Sequence, residues 1–284
     1  MTKLQPFYEQ VQAHYDLSNE FYRLFLDPSL TYSCAYFERD DMSLAEAQLA
    51  KIDLSLGKCD LQPGQLLLDI GCGWGATIER AVEKYGVRAI GLTLSREQHA
   101  YATRRLDRFG DSVQIRLQGW EEFDEPVDRI VSIGAFEHFR EERYAAFFGK
   151  CHRLLPAVAP MLLHSIVSLD LIDFEQQGIT LTHESVKFIK FIAQHIFPGG
   201  QLRAARKVIA YAQGAGFFVT RTQSLQPHYT RTLDCWAAAL RDRREEAIAL
   251  TSQETYDTYM YYLTGCAQRF HGREVDVVQF SLQK

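Results

Sequence analysis

A chain of 284 residues with 46% hydrophobic and 24% charged side chains is long enough for one large α/β domain and has the composition of an ordinary globular protein. Its formal net charge of -5 gives no electrostatic reason to expect a nucleic-acid partner, and no apolar stretch approaches the roughly 20 residues of a transmembrane helix. Met1 to Pro6 holds no signal-peptide core, so a cytoplasmic location is expected, where six cysteines without zinc-type spacing (Cys34, Cys59, Cys72, Cys151, Cys235, Cys266) read as free thiols and no metal centre.

The first 60 residues read as helices. Phe7 to His14 and Asn19 to Leu26 carry Phe7, Tyr8, Tyr15, Phe21, Tyr22 and Phe25, more aromatic rings than a surface helix needs to dock on one side. They fit either a packed core or a lid over an apolar ligand. Ser43 and Glu46 then form a capping-box pattern ahead of Ala47 to Leu54, which marks a helix start.

Leu66 to Ile70 is an apolar run that stops at Gly71-Cys72-Gly73-Trp74-Gly75-Ala76 and is followed by a helix-like segment. This reads as a buried strand, a tight turn and a helix, with glycines that admit a bound molecule close to the backbone and helix amides aimed at it. The pattern also fits a dinucleotide fingerprint, but the next strand, Val87 to Leu92, runs into Thr93-Leu94-Ser95 without the acid a dinucleotide ribose requires. A nucleoside site other than a nicotinamide site is therefore expected.

Further strands are predicted at Val113 to Leu117, Arg129 to Ile133, Met161 to Ile166, Phe217 to Ser224 and Asp276 to Leu282, alternating with helices. Seven strands with right-handed crossovers make a mostly parallel sheet that binds ligands beyond its carboxyl ends. The fourth strand ends at Ile133-Gly134-Ala135-Phe136-Glu137-His138-Phe139, which places Glu137 where chemistry is expected. Residues 167–203 interrupt the alternation. A helix from Thr182 to His195 is predicted there, with Val186, Ile189, Ile192 and Ile196 on its apolar face and Phe188 and Phe191 beside it. This flap and the aromatic N-terminal helices offer more apolar surface than a bare sheet needs, as a lipid-sized pocket would require.

An acid two residues before the first of three alternating glycines resembles the S-adenosylmethionine (SAM) turn of Rossmann-like, class I methyltransferases. Tyr32 to Glu38, Leu68 to Gly75, Gly91 to Ser95 with Gln98, Ser132 to Phe139, and Tyr261 to Cys266 together resemble, in order and along nearly the whole chain, the mycolic acid cyclopropane synthase family. The resemblance implies one methyltransferase domain over residues 1–284, with residues 1–60 as a helical lid and 167–203 as an acyl-binding insertion. It implies transfer of a methylene unit from SAM to a cis double bond of a very long acyl chain carried by an acyl carrier protein. Sister enzymes leave a hydroxylated methyl branch instead; Phe136-Glu137-His138-Phe139 is more similar to the cyclopropane-forming members.

An alkene is a weak nucleophile and must be held in line with the sulfonium methyl, away from water. Methyl transfer leaves a cation that aromatic faces stabilise, and a base then removes a proton to close the ring. In the family that base is bicarbonate. By resemblance its cradle is Cys34, Glu137, His164 and Tyr229 with backbone at Ile133 and Gly134; Cys266 is a further active-site candidate, although thiolate attack has no step in alkene alkylation. His164 and Cys34 taken singly could equally be packed core residues.

For SAM, resemblance assigns Tyr32 and Ser33 to the methionine end and Leu67, Leu68, Asp69, Ile70, Gly71, Cys72, Gly73, Trp74 and Gly75 to the strand and turn. Thr93, Leu94, Ser95 and Gln98 fall at the ribose, and Trp120 and Glu121 at the adenine. Two roles are open to Gln98, which with Ser95 also has capping-box spacing. Trp120 could stack on a purine or pack under a loop.

Two departures from the family pattern stand out: Leu155 to Pro160 replaces an Asp-Gly turn, and Phe7 stands where relatives have histidine. Arg203, Arg206 and Lys207 form a basic cluster that could meet an acidic carrier or be a solvated helix face. Transient contact with a membrane surface is also compatible with the chain. The competing functions are an acyl or acyl-carrier binding protein without catalysis, and a methyltransferase for a small polar nucleophile.

Overall fold

The computed structural model describes residues 4–9, 12 and 17–284, the side chain of Leu171 excepted. In chain order, α1 (Asn19–Tyr22) and α2 (Leu44–Gly57) precede β1 (Leu66–Ile70), α3 (Ala76–Tyr85), β2 (Arg88–Thr93), α4 (Arg96–Leu106), β3 (Val113–Leu117) and β4 (Arg129–Ile133). There follow α5 (Tyr144–Leu154), β5 (Pro160–Ser168), α6 (Leu171–Gln177), α7 (His183–Phe191), α8 (Ala205–Gly214) and β6 (Phe218–Ser224). Last come α9 (Gln226–Asp242), α10 (Arg244–Leu250), α11 (Gln253–His271) and β7 (Val275–Gln283).

The strands form one sheet in the order β3-β2-β1-β4-β5-β7-β6, with β7 antiparallel to β5 and β6 and the rest parallel. This is the fold of class I SAM methyltransferases. All seven strands stand within two residues of their predicted limits. Period-two alternation sorts their side chains onto two faces. Leu68, Ile90, Ile130 and Leu163 face the aromatic side of α5 and Val208 and Ala212 of α8, whereas Leu67, Ala89, Val131 and Leu162 face Leu56, Ile78 and Leu106 of α2 to α4. The capping box at Ser43 and Glu46 forms as the spacing predicts.

A third cluster lies beyond the carboxyl edge, where α9 and α11 meet the N-terminal segment. The helix expected to reach Leu26 ends at Tyr22, and Arg23 to Leu26 continue as turns. Phe21, Tyr22 and Phe25 are at most 1% exposed, with Phe21 edge-on to Tyr259 and Tyr22 against Trp74 of the glycine turn. These three rings are core and not lid. Tyr15 lies outside the described residues, as does half of the span from Phe7 to His14.

The flap departs from its expected face. The helix expected from Thr182 to His195 has Thr182 as its N-cap, and its α-helical part stops at Phe191 and gives way to one π turn over Ile192–Ile196. Phe188 and Ile196 are buried, while Val186 and Ile189 are 41% and 55% exposed. The cause is a notch on α11. A Cβ at Gly265 would sit 2.1 Å from the Phe188 ring, so the missing side chain is what lets that ring seat.

Candidate functional site

Strand order reverses between β1 and β4, the crevice where open α/β sheets bind their ligands. Two loops flank it. After β1, Leu92 O accepts from both Gly71 N (3.0 Å) and Cys72 N (2.9 Å), and Gly71, Gly73 and Gly75 take φ of 85°, 55° and 89°. After β4, Gly134 has φ 68° and its amide donates to His164 O at 2.9 Å. A Cβ on Gly71 would fall 2.3 Å from Ala135 Cβ, so the two loops touch only because that side chain is absent.

The cavity between them is lined by Tyr32, Ser33, Asp69 to Trp74, Thr93, Leu94, Gln98, Trp120, Glu121, Ile133 and Gly134, all among the residues expected to hold SAM or bicarbonate. Leu67 and Leu68 stay in the strand core, and Gly75 packs under α4, where a Cβ would lie 2.8 Å from Leu106. Ser95 caps α4 by accepting from Gln98 N at 3.2 Å. The reciprocal half of a capping box is not made by Gln98. Its Oε1 accepts from Thr93 Oγ1 at 2.8 Å, and the side chain lines the cavity.

At one end Trp120 packs edge-on to Phe147 with ring centroids 5.3 Å apart and turns toward the cavity. Glu121 Oε1 accepts from Arg143 Nη1 at 2.8 Å, but its Oε2 is shut from solvent with no hydrogen-bond partner. Burial raises the pKa of this carboxyl. A flat ring beside a lone buried acceptor suits a heteroaromatic amine. The described N-terminal residues close this end: Tyr8 donates to Glu122 Oε2 at 2.9 Å, and Phe7 lines the cavity beneath the Arg140 and Arg143 guanidiniums. Phe7 therefore lies at the same end of the cavity as Trp120 and Glu121.

The opposite end holds residues that the sequence reading missed. Gln48, Lys51 and Ser55 of α2 are 0% exposed, although each is polar. Gln48 Nε2 donates to Ser33 O at 2.8 Å, and Lys51 Nζ to Ser33 Oγ at 2.7 Å, which fixes the Tyr32-Ser33 backbone against the cavity. Burial lowers the Lys51 pKa to about 8 and raises that of Asp69 to about 7, each held back by neighbours of opposite charge. Opposite charges thus face one end of the cavity. The signal was present as an i, i+3, i+7 polar stripe on an otherwise apolar helix.

The residues expected to cradle an anion fall in two pairs, and Cys34, Glu137, His164 and Tyr229 are not among those lining the cavity. Cys34 Sγ points at Leu225 O (3.8 Å), the carbonyl that also accepts from Tyr229 N in the first turn of α9. Glu137 Oε1 accepts from Ile166 N at 2.6 Å, two residues beyond His164, and its Oε2 is enclosed without a partner. Burial raises the Glu137 pKa and drives that of His164 well below the imidazole norm; Lys51 adds to the His164 shift and also acts on Cys34. Burial likewise pushes the Cys34 thiol up and the Cys266 thiol to about 12, so neither is a thiolate near neutral pH. Cys266, next to Gly265 in α11, packs against the aromatic cluster.

A profile of the mycolic acid cyclopropane synthetase family matches residues 2–280. The chain belongs to that family. It is 58% identical over 99% of both chains to cyclopropane mycolic acid synthase 3 of Mycobacterium tuberculosis. The solved cyclopropane synthase MmaA2 from Mycobacterium tuberculosis superposes with a TM-score of 0.98 at 54% identity, covering all of both chains. The solved mycolic acid cyclopropane synthase CmaA1, complexed with SAH and CTAB, gives a TM-score of 0.96 at 57% identity over 99% of each chain.

Within this cyclopropane synthetase family member, the basic cluster is taken up by internal ion pairs. Arg203 pairs with Glu141, Lys207 with Glu141 at 2.9 Å, and Arg206 with Asp170. Each of the three cations therefore has an internal carboxylate partner. Among the described residues no helix is long and apolar enough to cross a membrane.

Proposed function

We propose that this protein transfers one carbon from SAM to a cis double bond of a very long unsaturated acyl chain, a mycolic acid precursor presented on an acyl carrier protein, and closes a cyclopropane ring. The observation that carries it is the cavity at the strand switch point, with an unpartnered carboxylate oxygen beside Trp120 at one end and Lys51 and Asp69 at the other. Those are the complements of an adenine amine and an amino-acid zwitterion. Relatives named cyclopropane mycolic acid synthases, one of them solved with SAH, support the same reading.

Trp120 would pack on the base and Glu121 Oε2 accept from its amino group, while Thr93 and Gln98 meet the ribose hydroxyls. Lys51 and Asp69 pair with the carboxylate and ammonium of the methionine end, and Tyr32 and Ser33 wall that end. When bound, SAM supplies an electron-poor methyl group. Tyr32, which lines the cavity and whose ring centroid lies 5.2 Å from that of Trp236, would offer a π face to the positive charge that develops on the acyl chain.

Bound bicarbonate would supply the proton acceptor; Cys34 and Cys266 remain thiols and do not serve as one. His164, neutral and buried, and the Tyr229 hydroxyl are suited to donate hydrogen bonds to an anion. Glu137 Oε2 suits the anion's own hydroxyl, because its other oxygen is already held by Ile166 N. The enclosed Glu137 Oε2 fits such a ligand as the Glu121 oxygen fits SAM.

Purified protein incubated with SAM and an unsaturated acyl carrier substrate should return a product one carbon heavier, at a rate that falls when bicarbonate is stripped from the buffer. A hydroxylated, methyl-branched product would assign the sister activity. Acyl binding with no product would assign a binding protein.

A further inference from the structure

β5 and β7 place His164 directly opposite Gln279 in an antiparallel pair, and both residues are buried, at 1% and 0% exposure. Side chains in such a register meet on one face of the sheet. Gln279 Nε2 lies 3.2 Å from His164 Nδ1 and 3.0 Å from Ser55 Oγ. Lys58 Nζ donates to Gln279 Oε1, and to Gln223 Oε1 at 2.7 Å.

These partners settle which way the amide faces. A lysine ammonium only donates, so the Gln279 carbonyl oxygen must be the atom toward Lys58. Ser55 Oγ donates its own proton to Lys51 O at 2.7 Å, so it accepts from the Gln279 NH2 group. The second amide proton is left for His164 Nδ1. That nitrogen is therefore the acceptor, and the neutral ring carries its hydrogen on Nε2.

We propose that Gln279, oriented by Lys58, is a positioning residue that fixes His164 as an Nε2–H donor for the anionic proton acceptor. The proposal rests on the reading of His164 as part of the anion cradle. With the opposite tautomer, Nε2 would present a lone pair, which repels an anion and leaves it short of one hydrogen bond. Gln279→Glu reverses the logic in a side chain of nearly the same shape. A carboxylate accepts from Nδ1, so the neutral ring carries its proton there and Nε2 presents a lone pair.

The test uses the full chain labelled with 15N-histidine, with His164 identified by comparison with His164→Gln. Long-range proton–nitrogen correlation near neutral pH should show the Nε2–H tautomer at His164 in the native protein. Gln279→Glu should show a protonated Nδ1 and a turnover lowered about 10-fold to 100-fold, with SAH affinity retained as the sign of a folded site. Lys58→Met, at a half-buried position, should give a mixture of tautomers and a smaller loss. An Nδ1–H tautomer in the native protein, or a Gln279→Glu ring unchanged from the native one, overturns the proposal. If the tautomer shifts as expected while native turnover is indifferent to bicarbonate, the role of Gln279 is supported and only the identity of the anion is overturned.

Discussion

On the proposed function Glu137 is the residue on which the chemistry turns, because one oxygen accepts from Ile166 N and the other is buried without a hydrogen-bond partner. Glu137→Gln keeps the shape, and its amide NH2 can no longer accept from the anion's hydroxyl. Turnover is expected to fall by about 100-fold or more while SAH binding by calorimetry stays as it was. Lys51 makes the opposite kind of prediction. Lys51→Met should weaken SAH about 10-fold, the scale of one hydrogen bond to a charged group. It should also change the pH dependence of the ligand-free protein. With a folded pKa near 8 against 10.5 when unfolded, Lys51 burdens the fold below pH 8, and that burden lifts as pH rises toward 10.5. Asp69, raised to about 7, acts in the other direction: its stabilising proton is lost as pH rises from 3.8 to 7. Denaturation of the ligand-free protein should thus show least stability from this pair between pH 7 and 8, and Lys51→Met should abolish the rise above pH 8.

Elements were legible where their signals were local and failed where a distant partner decided. The strands, the α2 capping box and the glycine turn follow from alternation, side-chain capping and φ > 0, all properties of neighbouring residues. The buried face of α7 does not, because Gly265, far along the chain, selects Phe188. The inner face of α2 was missed for a related reason: Gln48, Lys51 and Ser55 make a polar stripe that looks solvated until Ser33 and Gln279 are set against it. Gly265→Ala should therefore push the flap off α11 and cost about 1–3 kcal/mol in chemical denaturation, with Phe188→Leu in the same chain recovering part of it. A gain is expected elsewhere. The connection that replaces an Asp-Gly turn holds Val158 at φ 62°, 67% exposed, a conformation costly for a β-branched residue. Val158→Gly should stabilise the protein by about 1 kcal/mol, and an unchanged denaturation midpoint would show that the strain is relieved some other way.

At the scale of the molecule, the sheet presents the cavity at its strand switch point along one edge, and the aromatic third layer of α9, α11 and the N-terminal segment covers that edge. The described N-terminal residues close one end of the cavity, where Tyr8 and Phe7 meet Glu122, Arg140 and Arg143, and Arg203, Arg206 and Lys207 pair with Glu141 and Asp170. Both facts concern where parts meet, which composition cannot convey. On the proposed function, the whole arrangement takes one carbon from SAM and returns one of its protons to the bound acceptor. Supplying SAM with a fully deuterated methyl group and following the acyl product by mass spectrometry and NMR tests this most directly. Two of the three deuterons should be retained, both on a cyclopropane carbon; retention of all three in an open methyl branch would contradict ring closure by deprotonation of the transferred methyl.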